Sequence, residues 1–249
     1  MIKQKRLVIL IGLLCAILPF YVQAEEAEEG LYGYFLDVGQ GDATVIVCDG
    51  KVLMIDGGDG DAEHSQKVYS FLRNTIAIDT IDVMIATHPH ADHIGGLPRV
   101  LNAFDVSDIY TPVNPYNNDA WKSLVECADR NGITILRREA GDQFPIGRAE
   151  VTILGPAFLP GDERNKNNIS LVFRVDYEDT SFLFTGDAEL EEERGLLNSG
   201  VNLDADVLHV SHHGSEDGTF YYFLRTVDPS YAIISVGKGN PYGHPHEKH

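Results

Sequence analysis

Short apolar runs separated by turn residues dominate the chain from residue 31 onward. Residues 31–38, 43–48 and 51–55 predict three strands. They are split by Gly39-Gln40-Gly41-Asp42 and by Asp49-Gly50, a strong hairpin signal. Residues 65–75 predict a helix with Val68, Phe71 and Leu72 on one face. Residues 81–87 form an apolar run, as expected for a strand covered on both faces. A helix is predicted over 94–104. Strands follow at 108–113, 133–137, 149–154, 170–175, 182–185, 207–210 and 231–236, and helices at 119–131, 188–198 and 219–227. Each half opens with hairpins and then alternates strands with helices. That order predicts an α/β fold with two sheets face to face and helices outside. No linker or low-complexity segment divides 31–249, so this stretch reads as one domain.

Composition narrows the class. Of 249 residues, 43% are hydrophobic and 23% charged, which excludes a disordered chain, a collagen and a coiled coil. No 20-residue apolar run follows residue 24, which excludes a multi-span membrane protein. The formal charge of -19 comes from 38 acids against 19 bases and argues against a broad basic surface for passive nucleic-acid binding.

Residues 1–24 stand apart. Lys3, Lys5 and Arg6 precede an apolar stretch broken by Pro19, and Val22-Gln23-Ala24 fits a small-residue cleavage site. This is the layout of a secretory signal peptide. It predicts a secreted or extracytoplasmic protein, the alternative being an uncleaved N-terminal membrane anchor. Removing residues 1–24 takes away three bases and no acids, so -19 becomes -22. Residues 25–30 read as an acidic lead-in. Cleavage removes Cys15 and leaves Cys48 and Cys127, which read as buried free thiols rather than a disulfide framework.

The densest chemistry is Thr87-His88-Pro89-His90-Ala91-Asp92-His93-Ile94-Gly95-Gly96-Leu97, directly after a predicted buried strand. Strand ends and the loops that follow them are where α/β proteins place their sites. Imidazole and carboxylate donors suit zinc, manganese or iron. His88 and His90 project to one side if the chain stays extended. Asp92 and His93, where it turns into a helix, can point at a second position, so the spacing suits two ions better than one. Asp56, Asp187, the pair His212-His213 and the pair His244 and His246 also follow apolar strands. An aspartate in such a place is usually a helix cap. Five such placements, with eight of the ten histidines in or beside them, are hard to explain as packing.

The set FLDVGQGDA, IDGG, THPHADHIGGL, LFTGDAE, VSHHGS and ISVGKGNPYGHP resembles the metallo-β-lactamase fold superfamily over nearly all of 31–249. Within it, the set is most similar to the soluble hydrolase domain of ComEC-type DNA-uptake proteins. The resemblance implies a four-layer αββα sandwich with a metal site at one edge, holding two divalent ions, zinc or manganese. It implies that His88 and His90 bind the first ion, that Asp92, His93 and His244 bind the second, and that Asp187 bridges them. Asp56 would orient a ligand histidine from behind. The superfamily usually has a further histidine before the TGD aspartate. Here that segment reads Asn165-Lys166-Asn167-Asn168-Ile169-Ser170, with Asn168 as the supporting residue at that place. An amide oxygen is a weaker ligand than imidazole, which favours a loose first site and manganese. The chain stops five residues after His244, where a closing helix is expected, so it reads as truncated at its C-terminus.

Two cations side by side lower the pKa of a bridging water and neutralise charge on an attacked phosphoryl or acyl group. By analogy with the fold, Asp92 would also accept a proton from that water. His213, ahead of His212, would face the leaving group. The leading function is a secreted metal-dependent phosphodiesterase or nuclease, with nucleic acid or a small phosphodiester as substrate. Lys166, Arg164, Lys238 and Lys248 are the bases near the motif loops. The alternatives are a hydrolase of a small ester, lactone or phosphoester, and a non-enzymatic metal- or DNA-binding accessory.

Overall fold

The computed structural model describes residues 29–112, 116–157 and 166–247. The predicted signal peptide at 1–24, most of the acidic lead-in, and Arg164, Asn165 and Lys248 lie outside the described residues.

Among the described residues, twelve strands form two six-stranded mixed sheets. The first is β1 (Leu31–Phe35), β2 (Thr44–Cys48), β3 (Lys51–Ile55), β4 (Thr80–Ile85), β5 (Asp105–Thr111) and β6 (Ile135–Arg137), in sequence order. β1 to β3 pair antiparallel, and β3 to β6 pair parallel. The second is β7 (Gln143–Ile146), β8 (Ala149–Gly155), β9 (Val172–Tyr177), β10 (Thr180–Phe184), β11 (Val207–His209) and β12 (Tyr231–Ile233). It repeats the plan: β7 to β10 pair antiparallel, and β10 to β12 parallel. At the β2–β3 hairpin, Asp49 and Gly50 both have positive φ, 49° and 79°. That is the backbone of the primed turns whose twist matches the flanking strands.

Three apolar clusters separate four layers. Ile46, Leu53, Ile85, Ile153, Phe173 and Phe184 belong to the one between the sheets. A second packs the outer face of the first sheet against α1 (Ala62–Ser70), α3 (Leu97–Leu101) and α4 (Asp119–Asn131). A third packs the second sheet against α5 (Leu190–Ser199) and α6 (Tyr221–Val227). This is the αββα sandwich that the strand pattern predicts. Burying both faces of each sheet explains why the strands read as apolar runs rather than alternations.

Four elements differ from expectation. The first helix starts three residues early, where Asp61 accepts from the Glu63 N–H as N-cap, and its last turn, Phe71–Thr75, is a π-turn. The helix expected over 94–104 is two pieces, α2 (Ala91–Ile94) and α3, broken at Gly95-Gly96. There the backbone presses against Gly57 and Asp59, leaving no space for a Cβ. β7 was not predicted. Its sequence, QFPI, contains Pro145, which an edge strand tolerates because one side of its ladder is unpaired. The last strand ends at Ile233, and 234–236 leave the sheet. Cys48 and Cys127 are buried free thiols, in different apolar clusters.

Among the described residues, no helix is long and apolar enough to cross a membrane.

Candidate metal centre

The parallel strands of both sheets deliver their C-terminal ends to one edge of the sandwich, the usual place for a site in such sheets. After β3 the chain turns at Asp56, held at φ 55°. Its carboxylate accepts from the Thr87 N–H at 2.9 Å and the Thr87 hydroxyl at 2.6 Å. The same carboxylate accepts from His93 Nδ1 at 2.8 Å. Because a carboxylate can only accept, the His93 proton is fixed on Nδ1 and the Nε2 lone pair faces inward. Asp56 is 1% exposed, so three donors satisfy a charge that water cannot reach.

The loop after β4 carries His88, His90, Asp92 and His93. Its turn is pinned from the side by Asn118, the N-cap of α4, whose amide donates to the Pro89 carbonyl at 2.6 Å. It is pinned from above by the Gly39-to-Asp42 loop. The Asp42 N–H donates to the Asp92 carbonyl at 3.1 Å, and Gly41 lies so close that a Cβ would strike that carbonyl.

The second sheet contributes Asp187, just after β10, and the turn Ser211–Gly214 after β11. The Asp187 N–H donates to Ser170 Oγ at 3.0 Å. His212 and His213 both adopt left-handed backbone, φ 49° and 56°. Two consecutive non-glycine residues in that region are costly and persist where surrounding structure over-determines them. His213 Nδ1 donates to the Ser235 carbonyl at 3.0 Å, which turns its Nε2 inward.

These elements bring donors together in two groups. His88, His90 and Asp187 form one; Asp42, His93, Asp187 and His213 form the other, and within each the ligand atoms lie within 4.8 Å of one another. His88 Nε2 is 3.5 Å from Asp187 Oδ2, and His93 Nε2 is 3.1 Å from Asp187 Oδ1. Asp187 is common to both groups. His93 Nε2, His213 Nε2, Asp187 Oδ1 and Asp42 Oδ1 are buried without a hydrogen-bond partner. Buried orphans are rare in folded proteins, and a cluster of imidazole nitrogens and carboxylate oxygens aimed at one another fits divalent cations.

Burial raises the Asp187 carboxyl, but His93, His88 and His213 overcome it and hold Asp187 well below the usual range. Burial works against charge on His213, yet Asp187, Asp42 and Asp92 push it up to about 11. Burial, with His88 adjacent, lowers His90 to about 4, leaving it neutral and free to ligate at ordinary pH. Burial opposes charge on Asp92 too, but His213 and His93 bring it down to about 2. The pocket therefore sets anionic carboxylates against a protonated His213, whose proton a bound cation would displace.

The expected residues are not all placed as the sequence suggested. Asp92 sits at the rim, its Oδ2 3.3 Å from His213 Nε2, and is in neither four-way nor three-way group. His244, expected at the second ion, is also in neither group among the described residues. Its ring is 6.4 Å from that of His213 and 5.7 Å from that of His212, outside the donors. Asn168 is 8% exposed, and its Oδ1 accepts from the Glu189 N–H at 2.8 Å. It therefore holds the chain after Asp187 rather than a histidine. Sequence reasoning missed Asp42: placed after two glycines between strands, it reads as a turn residue. The visible signal was a carboxylate two residues before a strand whose partner is followed directly by Asp56.

A family model described as the metallo-beta-lactamase superfamily matches residues 36–238. The chain belongs to that superfamily. Within it, the chain is 32% identical over 228 residues to ComE operon protein 3 of Bacillus subtilis, covering 86% of this chain and 29% of that protein. It is 32% identical over 214 residues to Recombination protein 2 of Haemophilus influenzae, covering 85% of this chain and 25% of that protein. The chain thus spans under a third of these relatives, which are competence proteins of the ComEC type. Among solved structures, the metallo-beta-lactamase fold protein YhfI of Bacillus subtilis superposes with a TM-score of 0.50 at 13% identity, covering 85% of each chain. At that identity the likeness concerns the fold alone.

Proposed function

We propose that this superfamily member is a metal-dependent phosphodiesterase whose substrate is a nucleic-acid strand. The observation that carries the reading is the pair of donor groups meeting at Asp187, where Asp42, His93, Asp187 and His213 each present a buried atom with no hydrogen-bond partner among the described residues. His88, His90 and Asp187 would hold one ion, and Asp42, His93, Asp187 and His213 the other, with manganese or zinc suiting the donors. When bound, a metal pair supplies Lewis acidity that activates water and neutralises charge on a phosphoryl group.

The chain's own residues do the rest. Asp92, at the rim and held ionised by His213, is placed to accept a proton from the attacking water. His213 is buried and anchored to Ser235, so a ligand role suits it better than facing the leaving group. His212 is 21% exposed, with Nε2 3.9 Å from Asp187 Oδ2, and is the better group to reach the departing oxygen. Glu189 accepts from Asn167 at 2.6 Å and stands 3.5 Å from His212 Nδ1, on the side of the ring away from Asp187. Similarity to competence proteins favours nucleic acid over an ester or a lactone. The acidic chain favours a flexible strand over rigid duplex, because counterion release would add little affinity.

A substrate panel with added manganese or zinc tests this: single-stranded DNA, duplex DNA, RNA, a chromogenic phosphodiester, a lactone and a β-lactam. Metal-dependent cleavage of the single strands and the phosphodiester is expected. Turnover of the lactone or β-lactam alone would overturn the reading. We further place the mature protein outside the cytoplasm with Glu25 as its first residue. The N-terminal mass of exported protein checks this, and full-length chain in the membrane fraction would contradict it.

A further inference from the structure

The rings beside the metal centre continue outward. His213 is buried, the His244 ring lies 6.4 Å from it at an interplanar angle of 27°, and the Tyr242 ring lies 5.5 Å beyond at 30°. Tyr242 is 63% exposed. It contributes little to any core, yet the loop that carries it is heavily braced. Asn240 Nδ2 donates to the Gly237 carbonyl at 2.9 Å and to the His244 carbonyl at 2.7 Å. Asn240 Oδ1 accepts from the Tyr242 N–H at 3.0 Å and the His244 N–H at 3.1 Å. The Gly237 N–H donates to Gln40 Oε1 at 3.0 Å, tying the loop to the one that supplies Asp42. Gly243, at φ 78°, allows the sharp turn between the two rings. Lys238 is exposed on the same loop and is the one lysine or arginine in 237–247.

We propose that Tyr242 is a stacking platform for a nucleobase of a single-stranded nucleic acid whose neighbouring phosphate sits at the donor groups. The proposal rests on the phosphodiesterase reading above. An exposed aromatic ring held by a rigid loop loses little conformational freedom on binding, and every base offers a π-face to it. His244, between the ring and the metal ligands, has a buried Nδ1 with no partner and faces the sugar-phosphate that joins base to scissile bond. Lys238 meets the next phosphate. A duplex keeps its bases stacked on one another, so only an unpaired base lies flat on Tyr242. The site therefore selects single strands by geometry as well as by charge. DNA and RNA share the π-face, and the sugar edge near His244 distinguishes them.

The test is binding of labelled phosphorothioate oligonucleotides, which resist cleavage, to the metal-loaded full chain. Deoxy and ribo arms of equal length are compared, each with an abasic counterpart. Tyr242→Ala should weaken binding about tenfold, within the range for one stacked base. Tyr242→Trp should bind at least as tightly as the parent. Tyr222→Ala, which removes an exposed ring on α6, should change nothing. Abasic strands should bind weakly and alike to the parent and Tyr242→Ala. Equal affinity of the parent and Tyr242→Ala for the base-bearing strands would overturn the platform, as would undiminished binding of abasic strands or no binding by the parent. Turnover of a chromogenic phosphodiester, measured alongside, separates the two readings. If the parent lacks that turnover but shows Tyr242-dependent binding, the catalytic reading fails and the platform stands. If it cleaves with no Tyr242 dependence, the reverse holds.

Discussion

Asp187 and Asp56 show how much a single carboxylate can carry here. Asp187 belongs to both donor groups, whereas Asp56 belongs to neither and acts through His93, to which it is hydrogen-bonded. Replacing Asp56 with Asn keeps the size but allows the amide to turn its N–H₂ toward His93, so the inward lone pair is no longer secured. We expect Asp56→Asn to weaken metal affinity about 10–100-fold, as supporting residues behind ligand histidines generally do. Metal titration followed by calorimetry checks this. Asp92 is different because it stands at the rim. Asp92→Asn should leave the circular dichroism spectrum unchanged and lower the rate on a phosphodiester by about a hundredfold or more. A variant that kept most of the rate would refute the proton-acceptor role. The cluster around His88 was legible in the sequence because its donors fall within six residues and follow an apolar strand. Asp42 was not, because its three partners are 51, 145 and 171 residues away and only the docking of separate loops brings them together. His244 follows the last strand at the expected spacing, and its ring stands 6.4 Å from that of His213 and outside both donor groups.

At the level of elements, α5 and α6 illustrate a buried polar tie. Glu193 is 1% exposed and accepts from the backbone N–H groups of Thr219 and Phe220 ahead of α6. Thr219 Oγ1 in turn accepts from the Ser211 N–H at 3.1 Å, so α5 holds the segment that leads from the two strained histidines. Burial outweighs those N–H groups and raises Glu193 from 4.5 to about 7. The folded value lies above the unfolded one. Its contribution to stability is therefore complete below pH 4.5 and lost as pH rises through about 7. The full span corresponds to roughly 3 kcal/mol. Glu193→Gln should flatten that part of the profile, measured by denaturant unfolding between those limits. Buried glutamates on a helix that reads as acidic and amphipathic were invisible in the sequence, since charge alone suggests a solvated face. α4 was legible to the residue because Asn118 and Gly132 mark both ends. β7 was hidden by Pro145, and the α2–α3 break by a clash that involves Gly57, far back in the chain.

Across the whole molecule, both donor groups draw on both sheets. Asp42, His88, His90 and His93 come from the first, Asp187 and His213 from the second. A cation bound there favours the docked state by mass action, by about 2.7 kcal/mol at a hundredfold excess over its dissociation constant. Chelation should accordingly lower the melting temperature, and manganese or zinc should restore it; differential scanning calorimetry decides. The division of labour has a further consequence. The sheets are joined in sequence by the short stretch 138–142 between β6 and β7, where Gly141 has open space around it. A chain cut there becomes two half-sites, each short of ligands. Their apolar faces still match, so the fragments should pair weakly, and the pairing should tighten when a divalent ion is added and loosen when it is withdrawn. Such a nicked protein would work as a reporter of free metal, its signal arising from reassembly rather than from catalysis.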